Sequence, residues 1–156
     1  HSTEGVVRAQ EAGLPGRLID LIAEHHGTTL VRYFYARALE RANGGLRPDA
    51  SAFRYGGPRP QSKEAGILML ADSCEAAVRA KRPGSPEEIE TVVTRVIDER
   101  LADDELDECP LTLREVDQVR AAFCNVLHGV YHPRVEYPAI VEPAASGALA
   151  GRVATK

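Results

Sequence analysis

The sequence predicts an all-α protein of about six helices. Apolar residues recur every three or four positions through most of the chain, which is the spacing of one buried helix face. Two segments carry a capping box, a Ser or Thr followed three residues later by a Glu, at Ser85–Glu88 and Thr112–Glu115. No segment shows the sustained alternation of apolar and polar residues that a half-buried strand requires.

The first two helices are predicted on either side of a turn at Leu14-Pro15-Gly16. The first should stop at Gly13, and Pro15 can occupy the first position of the second. The second helix should end near His26-Gly27, and its apolar stripe consists of Leu18, Ile19, Leu21 and Ile22.

A third helix is expected to begin at Thr28 or Thr29, either of which can act as its N-cap, and to end at about Ala42. Its inward face should comprise Leu30, Val31, Phe34, Tyr35, Ala38 and Leu39. Residues 44–62 then form a long loop, because glycines and prolines recur in it. Loops of this length are uncommon in compact domains and are often functional.

The fourth helix, from Lys63 to about Lys81 with Ser62 as its N-cap, is the most apolar in the chain. The two capping boxes begin the fifth and sixth helices.

The chain of 156 residues suits one domain, which we assign to residues 1–140. Residues 141–156 are small and polar without an apolar stripe, and we expect them to form a flexible tail.

Composition excludes several classes of function. The net charge of −4 argues against a broad basic surface for nucleic-acid polymers. The three cysteines lack CxxC spacing and suit reduced thiols in a cytoplasmic protein. No apolar run reaches the roughly 20 residues of a membrane-spanning helix. Because the first residue is His rather than Met, we expect a further segment upstream.

The segment Glu24-His25-His26-Gly27 is the first candidate metal site. Neighbouring helical positions point about 100° apart, so adjacent histidines can share a metal only where the helix ends and the chain turns. Imidazole suits Zn, Fe, Mn or Ni. The pair could equally be ordinary residues of a helix end, and the pattern alone leaves both interpretations open.

Asp72 lies in the middle of the most apolar helix. A buried carboxylate costs several kcal/mol unless it is paired or binds a metal. The alternative is that Asp72 lies on the solvated side of the helix, beside Ser73 and Glu75. Periodicity does not separate these two interpretations of Asp72.

Arg59 and Lys63 flank the start of the same helix, where they could form either an anion site or a solvated basic patch.

Four segments occur in a characteristic order: EHHGTTLVRYFY at 24–35, GPRPQSKE at 57–64, LADS with EAA at 70–77, and YHPRVEYP at 131–138. Together they resemble the HD-domain phosphohydrolases of the membrane-anchored cyclic di-AMP phosphodiesterase type. The resemblance covers roughly residues 1 to 138. It implies that the domain lies in the cytoplasm and meets a membrane only through a parent chain.

The resemblance also implies a helical domain holding two divalent metal ions, Fe or Mn. These ions would activate a water that attacks a phosphodiester of cyclic di-AMP, giving linear pApA. His25 and His26 match the paired histidine ligands of the family, and Asp72 matches its late aspartate ligand. His1 matches a separate ligand histidine ahead of the turn at Leu14-Pro15.

The sequence departs from the family at its defining feature, because it contains no His-Asp dipeptide. That doublet would lie upstream of His1, so the chain resembles the C-terminal part of an HD domain, truncated at its N-terminus. We therefore expect weak metal binding and little or no turnover. Missing helices should also expose apolar surface and favour a homo-oligomer or a partner chain.

Two functions follow from these residues. The first is a metal-dependent cyclic-dinucleotide phosphodiesterase, with His1, His25, His26 and Asp72 as ligands and Arg59 or Lys63 as phosphate contacts. The second is a non-catalytic helical module that senses a nucleotide or docks a partner. The residues alone decide neither the native metal nor the choice between cyclic di-AMP and cyclic di-GMP.

Overall fold

The computed structural model describes residues 2–131, which form six α-helices and one short 3₁₀-helix. The helices are α1 (Ser2–Glu11), α2 (Gly16–Glu24), α3 (Arg32–Ala42), α4 (Lys63–Lys81), α5 (Pro86–Ala102) and α6 (Leu113–Val130), and the 3₁₀-helix is Ala50–Phe53. Between residues 2 and 131 the only β-type pairing is one isolated bridge between Leu30 and Arg54. The predicted all-α class is confirmed. The predicted ligand His1 and the predicted tail 141–156 lie outside the described residues.

Helices α4, α5 and α6 pack together around the core, α2 packs on α4, and α1 packs on α2. α4 is central, because it buries residues against all three neighbours. The buried apolar side chains of the main cluster are Met69, Leu70, Cys74, Val78, Ile89, Val92, Val93, Val96, Ile97, Leu106, Cys109, Val116 and Leu127. This core packs α4 against α5 and α6, while α2 packs on α4, and the candidate site lies between the end of α2 and the middle of α4.

The starts of α4, α5 and α6 follow the predicted caps. Ser62 Oγ accepts a hydrogen bond from the Ala65 backbone N–H, and α4 has the predicted bounds. The box at Thr112 is complete, since both the Thr and the Glu115 side chain bond the opposite backbone N–H. At Ser85 only half of the box forms, because the Glu88 carboxylate accepts from the Gly84 N–H instead.

The predicted start of the third helix was wrong. α3 begins at Arg32 and neither threonine caps it. The Thr28 hydroxyl donates to Glu105, and the Thr29 hydroxyl donates to the His26 carbonyl. The predicted inward face was wrong at Phe34, which is 61% exposed, whereas the other predicted residues are half-buried and none of α3 is fully buried. α3 packs on the 3₁₀-helix rather than on the core.

None of the helices in residues 2–131 combines the length and hydropathy needed to cross a bilayer. All three cysteines are free thiols, as the sequence predicted.

Candidate metal centre

His25 and His26, the predicted pair of metal ligands, lie where α2 ends, and His25 is the C-cap residue of that helix. His25 Nδ1 lies 2.9 Å from the Ile22 carbonyl oxygen. A carbonyl only accepts, so Nδ1 must carry a proton, and Nε2 is the ring nitrogen that remains for a metal. The centroids of the two imidazole rings are 3.9 Å apart, which keeps both rings on one side of the turn. A backbone-anchored Nδ1 is the usual arrangement of a histidine that binds metal through Nε2.

His26 faces Asp72 across the contact between α2 and α4. His26 Nδ1 lies 3.7 Å from Asp72 Oδ2, and the side chains are 18% and 48% exposed. Tyr55, from the long loop, stacks on the His26 ring at a centroid distance of 4.4 Å. The structure therefore brings His26, in the turn after α2, to Asp72 of α4, and holds the His25 ring against the His26 ring.

The surroundings of His26 favour its neutral form. Burial lowers the pKa of His26 below 6.5, and the positive charges of His25 and Arg100 act in the same direction, while Asp72 opposes them. The neutral imidazole is the form in which a histidine binds a metal.

A buried carboxylate that the sequence analysis missed holds the turn after the histidines. Glu105 is fully buried, and its oxygens accept from the Thr28 N–H at 2.9 Å and the Thr28 hydroxyl at 2.6 Å. Arg54 lies 4.0 Å from the same carboxylate and donates to the Thr28 carbonyl at 3.0 Å. Thr28 is therefore fixed on both sides of its backbone. In the sequence Glu105 belongs to the acidic run 103–107, which is typical of a solvated surface.

Gly27 is required at this turn. Its φ is +52°, a conformation that other residues rarely adopt. A Cβ on Gly27 would lie 2.3 Å from Glu105 Oε2 and 2.5 Å from Met69 Cε. The absence of a side chain lets Glu105 approach the backbone beside His26.

A second buried carboxylate joins α2 to the start of α4. Glu24 is 7% exposed, and its Oε2 accepts from the Gln61 backbone N–H at 2.9 Å. Glu24 and Glu105 therefore hold in place the backbone before and after the histidine pair. Each is the acceptor for a backbone N–H that would otherwise lose its partner on burial.

His26 and Asp72 line a groove of about 520 Å³. Its charged and aromatic lining, besides these two, consists of Arg32, Tyr33, Tyr55, Arg95, Glu99 and Arg100. The sequence analysis did not identify the arginines. They come from α3 and α5, and no spacing within one helix signals that they meet Asp72.

The predicted phosphate contacts lie elsewhere. Lys63 Nζ pairs with Glu115 at the start of α6. Lys63 precedes Asp72 by nine helical residues, about 13 Å along the axis. Neither Arg59 nor Lys63 lines the groove. The structure does not bring them to His26 and Asp72, and their role as phosphate contacts stays a prediction.

The donors that meet here fit part of a metal site. Nitrogen and carboxylate ligands lie about 2.0–2.2 Å from a bound ion, so two of them are separated by about 3 Å. The 3.7 Å between His26 and Asp72 needs only a small side-chain adjustment to reach this value. Within residues 2–131, however, no group of three or more His, Cys, Asp or Glu side chains is arranged around one ion position.

The six-helix fold of residues 2–131 matches the helical HD-domain fold, as the resemblance predicted. No family model matches the chain. It is 42% identical over 138 residues to Cyclic-di-AMP phosphodiesterase PgpH of Bacillus subtilis, covering 88% of this chain and 19% of the relative. It is 36% identical over 140 residues to the protein of that name from Listeria monocytogenes, with the same coverage.

The fold comparison agrees with the sequence comparison. The crystal structure of the L. monocytogenes PgpH HD domain in complex with cyclic-di-AMP matches with a TM-score of 0.78 and 34% identity. The match covers 88% of this chain and 63% of that chain. The chain is thus a homologue of the PgpH HD domain, and it spans about a fifth of the full-length relatives. This family implies dependence on divalent metal ions.

Proposed function

We propose that this chain is the C-terminal portion of the HD domain of a metal-dependent phosphodiesterase that opens cyclic di-AMP to linear pApA. The observation that carries the proposal is the pair His26, in the turn after α2, and Asp72, on α4, which lie 3.7 Å apart and line one groove. The matches to proteins named for this activity support it. In the parent protein the domain lies on the cytoplasmic side of a membrane, and no nucleic-acid polymer is a substrate.

His25, His26 and Asp72, with His1 as a fourth ligand, would hold two divalent ions, Fe or Mn. When bound, such ions supply Lewis-acid stabilisation of charge on the phosphoryl oxygens. The chain's own residues prepare the site. The Ile22 carbonyl orients His25, the lowered pKa of His26 keeps its lone pair available, and Glu105 fixes the turn that carries both rings.

We expect weak metal binding and slow or absent turnover from the isolated chain, because the sequence lacks the His-Asp doublet of the family. This expectation is separate from the identity of the ligands. A chain with half a donor set still loses affinity when one of its donors is removed.

The test is a Mn²⁺ titration of untagged protein, followed by electron paramagnetic resonance, for the wild type, His26→Ala and Asp72→Ala. Each variant should bind Mn²⁺ at least about tenfold more weakly, since a lost ligand costs the site much of its affinity. The matched controls are His128→Ala and Asp20→Ala, whose side chains lie outside the groove. Equal affinity in all five proteins would reject the proposed ligands.

Assays of cyclic di-AMP cleavage with Mn²⁺ or Fe²⁺ measure turnover, and rapid metal-dependent cleavage by the wild type would refute the expected inactivity.

The second candidate function is a non-catalytic module that senses a nucleotide. The missing doublet favours it, as does the groove, which is available without a complete metal site. Binding of cyclic di-AMP in the presence of metal, with no linear product, would distinguish this function from the first.

A further inference from the structure

Arg100 is a half-buried cation in the candidate groove. It lines the groove together with His26 and Asp72. Its Nε donates to the Ser73 hydroxyl at 3.3 Å, and Ser73 directly follows Asp72 on α4. This hydrogen bond holds the guanidinium of an α5 residue against the α4 residue that follows Asp72.

The charge of Arg100 has no direct ionic partner in residues 2–131, where no carboxylate oxygen lies within 4.0 Å of its guanidinium. The carboxylate of the neighbouring residue Glu99 is paired with another arginine, because it accepts a hydrogen bond from Arg32 at 2.7 Å. Burial, followed by the positive charge of Arg32, lowers the pKa of Arg100, while the carboxylates of Asp103, Glu105 and Glu99 act in the opposite direction from beyond ion-pair distance. A partly desolvated cation without a direct ion pair is costly, so an anion bound in the groove would stabilise it.

The chemistry of the group defines the anion. A guanidinium presents planar, paired N–H donors that match phosphate oxygens and can bond two of them at once. Nε is directed at Ser73, which leaves the terminal nitrogens for a ligand in the groove. Arg95 also lines the groove and adds positive charge at its exposed side.

We propose that Arg100 binds the phosphodiester of the substrate beside His26 and Asp72, a role that the sequence had suggested for Arg59 or Lys63. This inference rests on the proposed function for the identity of the substrate, but its chemistry requires only a phosphodiester. It makes Arg100 a substrate-binding residue that acts independently of the metal ligands.

The test compares the wild type with Arg100→Gln and Arg100→Lys by isothermal titration calorimetry with cyclic di-AMP, in EDTA so that no cleavage occurs. Arg100→Gln should weaken binding about 10- to 100-fold, as loss of a charge-assisted hydrogen bond predicts. Arg100→Lys keeps the charge without the paired donors and should lose less. Arg79→Gln is the matched control, because Arg79 is exposed on α4 and lies outside the groove.

A second measurement distinguishes the loss of a phosphate contact from a folding defect in the variant and from a wrong choice of substrate. In the wild type, the Arg100 Nε–Hε resonance is followed by NMR during titration with bis(4-nitrophenyl) phosphate, a simple phosphodiester. A shift at Arg100, but not at Arg79, supports the inference even if cyclic di-AMP does not bind in EDTA, because the inference requires only a phosphodiester. Cyclic di-AMP binding that is unchanged in Arg100→Gln overturns the inference and leaves the proposed function standing. If the folded wild type binds neither ligand in EDTA, the inference is overturned, and the proposed function is decided separately by the Mn²⁺ titration and the cleavage assay.

Discussion

At the scale of single residues, Asp72 shows why a carboxylate in an apolar helix is ambiguous. The sequence offered a buried, paired carboxylate or a solvated one. In the structure its side chain is 48% exposed, and it also faces His26 at 3.7 Å. Because the groove admits solvent, Asp72 avoids the full cost of burial while lying where a ligand is needed.

The residue that the turn depends on most is Gly27. Gly27→Ala should lower the free energy of unfolding by about 1–3 kcal/mol, because it adds a strained φ and displaces Glu105 and Met69. Mn²⁺ affinity should fall with it, since the same turn carries both histidines. Urea unfolding and the Mn²⁺ titration measure the two effects.

Gly16→Ala is the matched control. Gly16 begins α2, and a Cβ there would meet no atom within 4 Å. Its stability should be unchanged or slightly raised, since alanine has the higher helix propensity. If Gly27→Ala were as stable as Gly16→Ala, the tight approach of Glu105 to the turn would be contradicted.

At the scale of secondary structure, the start of α6 is joined to the start of α4. The Glu115 carboxylate completes the capping box with Thr112 and also pairs with Lys63. These contacts, led by the Lys63 hydrogen bond, lower the pKa of Glu115 from 4.5 to about 2. One side chain therefore stabilises two helix ends.

This pKa predicts a pH dependence. A carboxyl whose pKa is lower in the folded state stabilises the fold above its unfolded pKa, and the stabilisation is lost as the pH falls toward the folded pKa. The contribution of Glu115 should therefore be complete above about pH 4.5 and should disappear between 4.5 and about 2. Glu115→Gln should be less stable than the wild type at pH 6, and the difference should vanish toward pH 2.

Urea unfolding at several pH values between 2 and 7 measures this difference. Glu11→Gln, at the exposed end of α1, is the control and should follow the wild-type curve across this window. A difference between Glu115→Gln and the wild type that does not change with pH would contradict the assignment.

At the scale of the whole molecule, α3 is the helix that the core does not cover. It buries no residue, and Tyr33 and Phe34 are 65% and 61% exposed. Exposed adjacent aromatic side chains are typical of a surface that another chain covers. The expected homo-oligomer therefore has a candidate contact surface in Tyr33 and Phe34.

We predict that the chain self-associates at high concentration and that Tyr33→Ser/Phe34→Ser reduces this association. Sedimentation velocity over a range of concentrations measures it. Leu113→Ser is the control, because Leu113 is also exposed, at 73%, but lies on α6. A monomeric wild type at every concentration would reject the prediction.

Local information determined much of this fold. The N-cap Ser62, the full box at Thr112 and the left-handed Arg82 that ends α4 act within one helical turn, so the chain segment itself specifies them. The long apolar stripe of α4 likewise predicts that this helix is central. The resemblance of four ordered segments added the HD-domain class, which the fold comparison confirmed.

Tertiary structure decided the rest, because the contacts join residues far apart in the chain. Glu105 accepts hydrogen bonds from the backbone N–H and the hydroxyl of Thr28, which lies 77 positions away in the sequence. The threonine therefore does not cap α3 as predicted, and the turn that carries the two histidines is held in place. Arg100 reaches Ser73 across 27 positions and so enters the groove of Asp72. Neither residue differs locally from an ordinary surface charge. The sequence by itself thus determined the helices and the candidate ligands, whereas only the packing of α2, α4 and α5 decided which charges surround them.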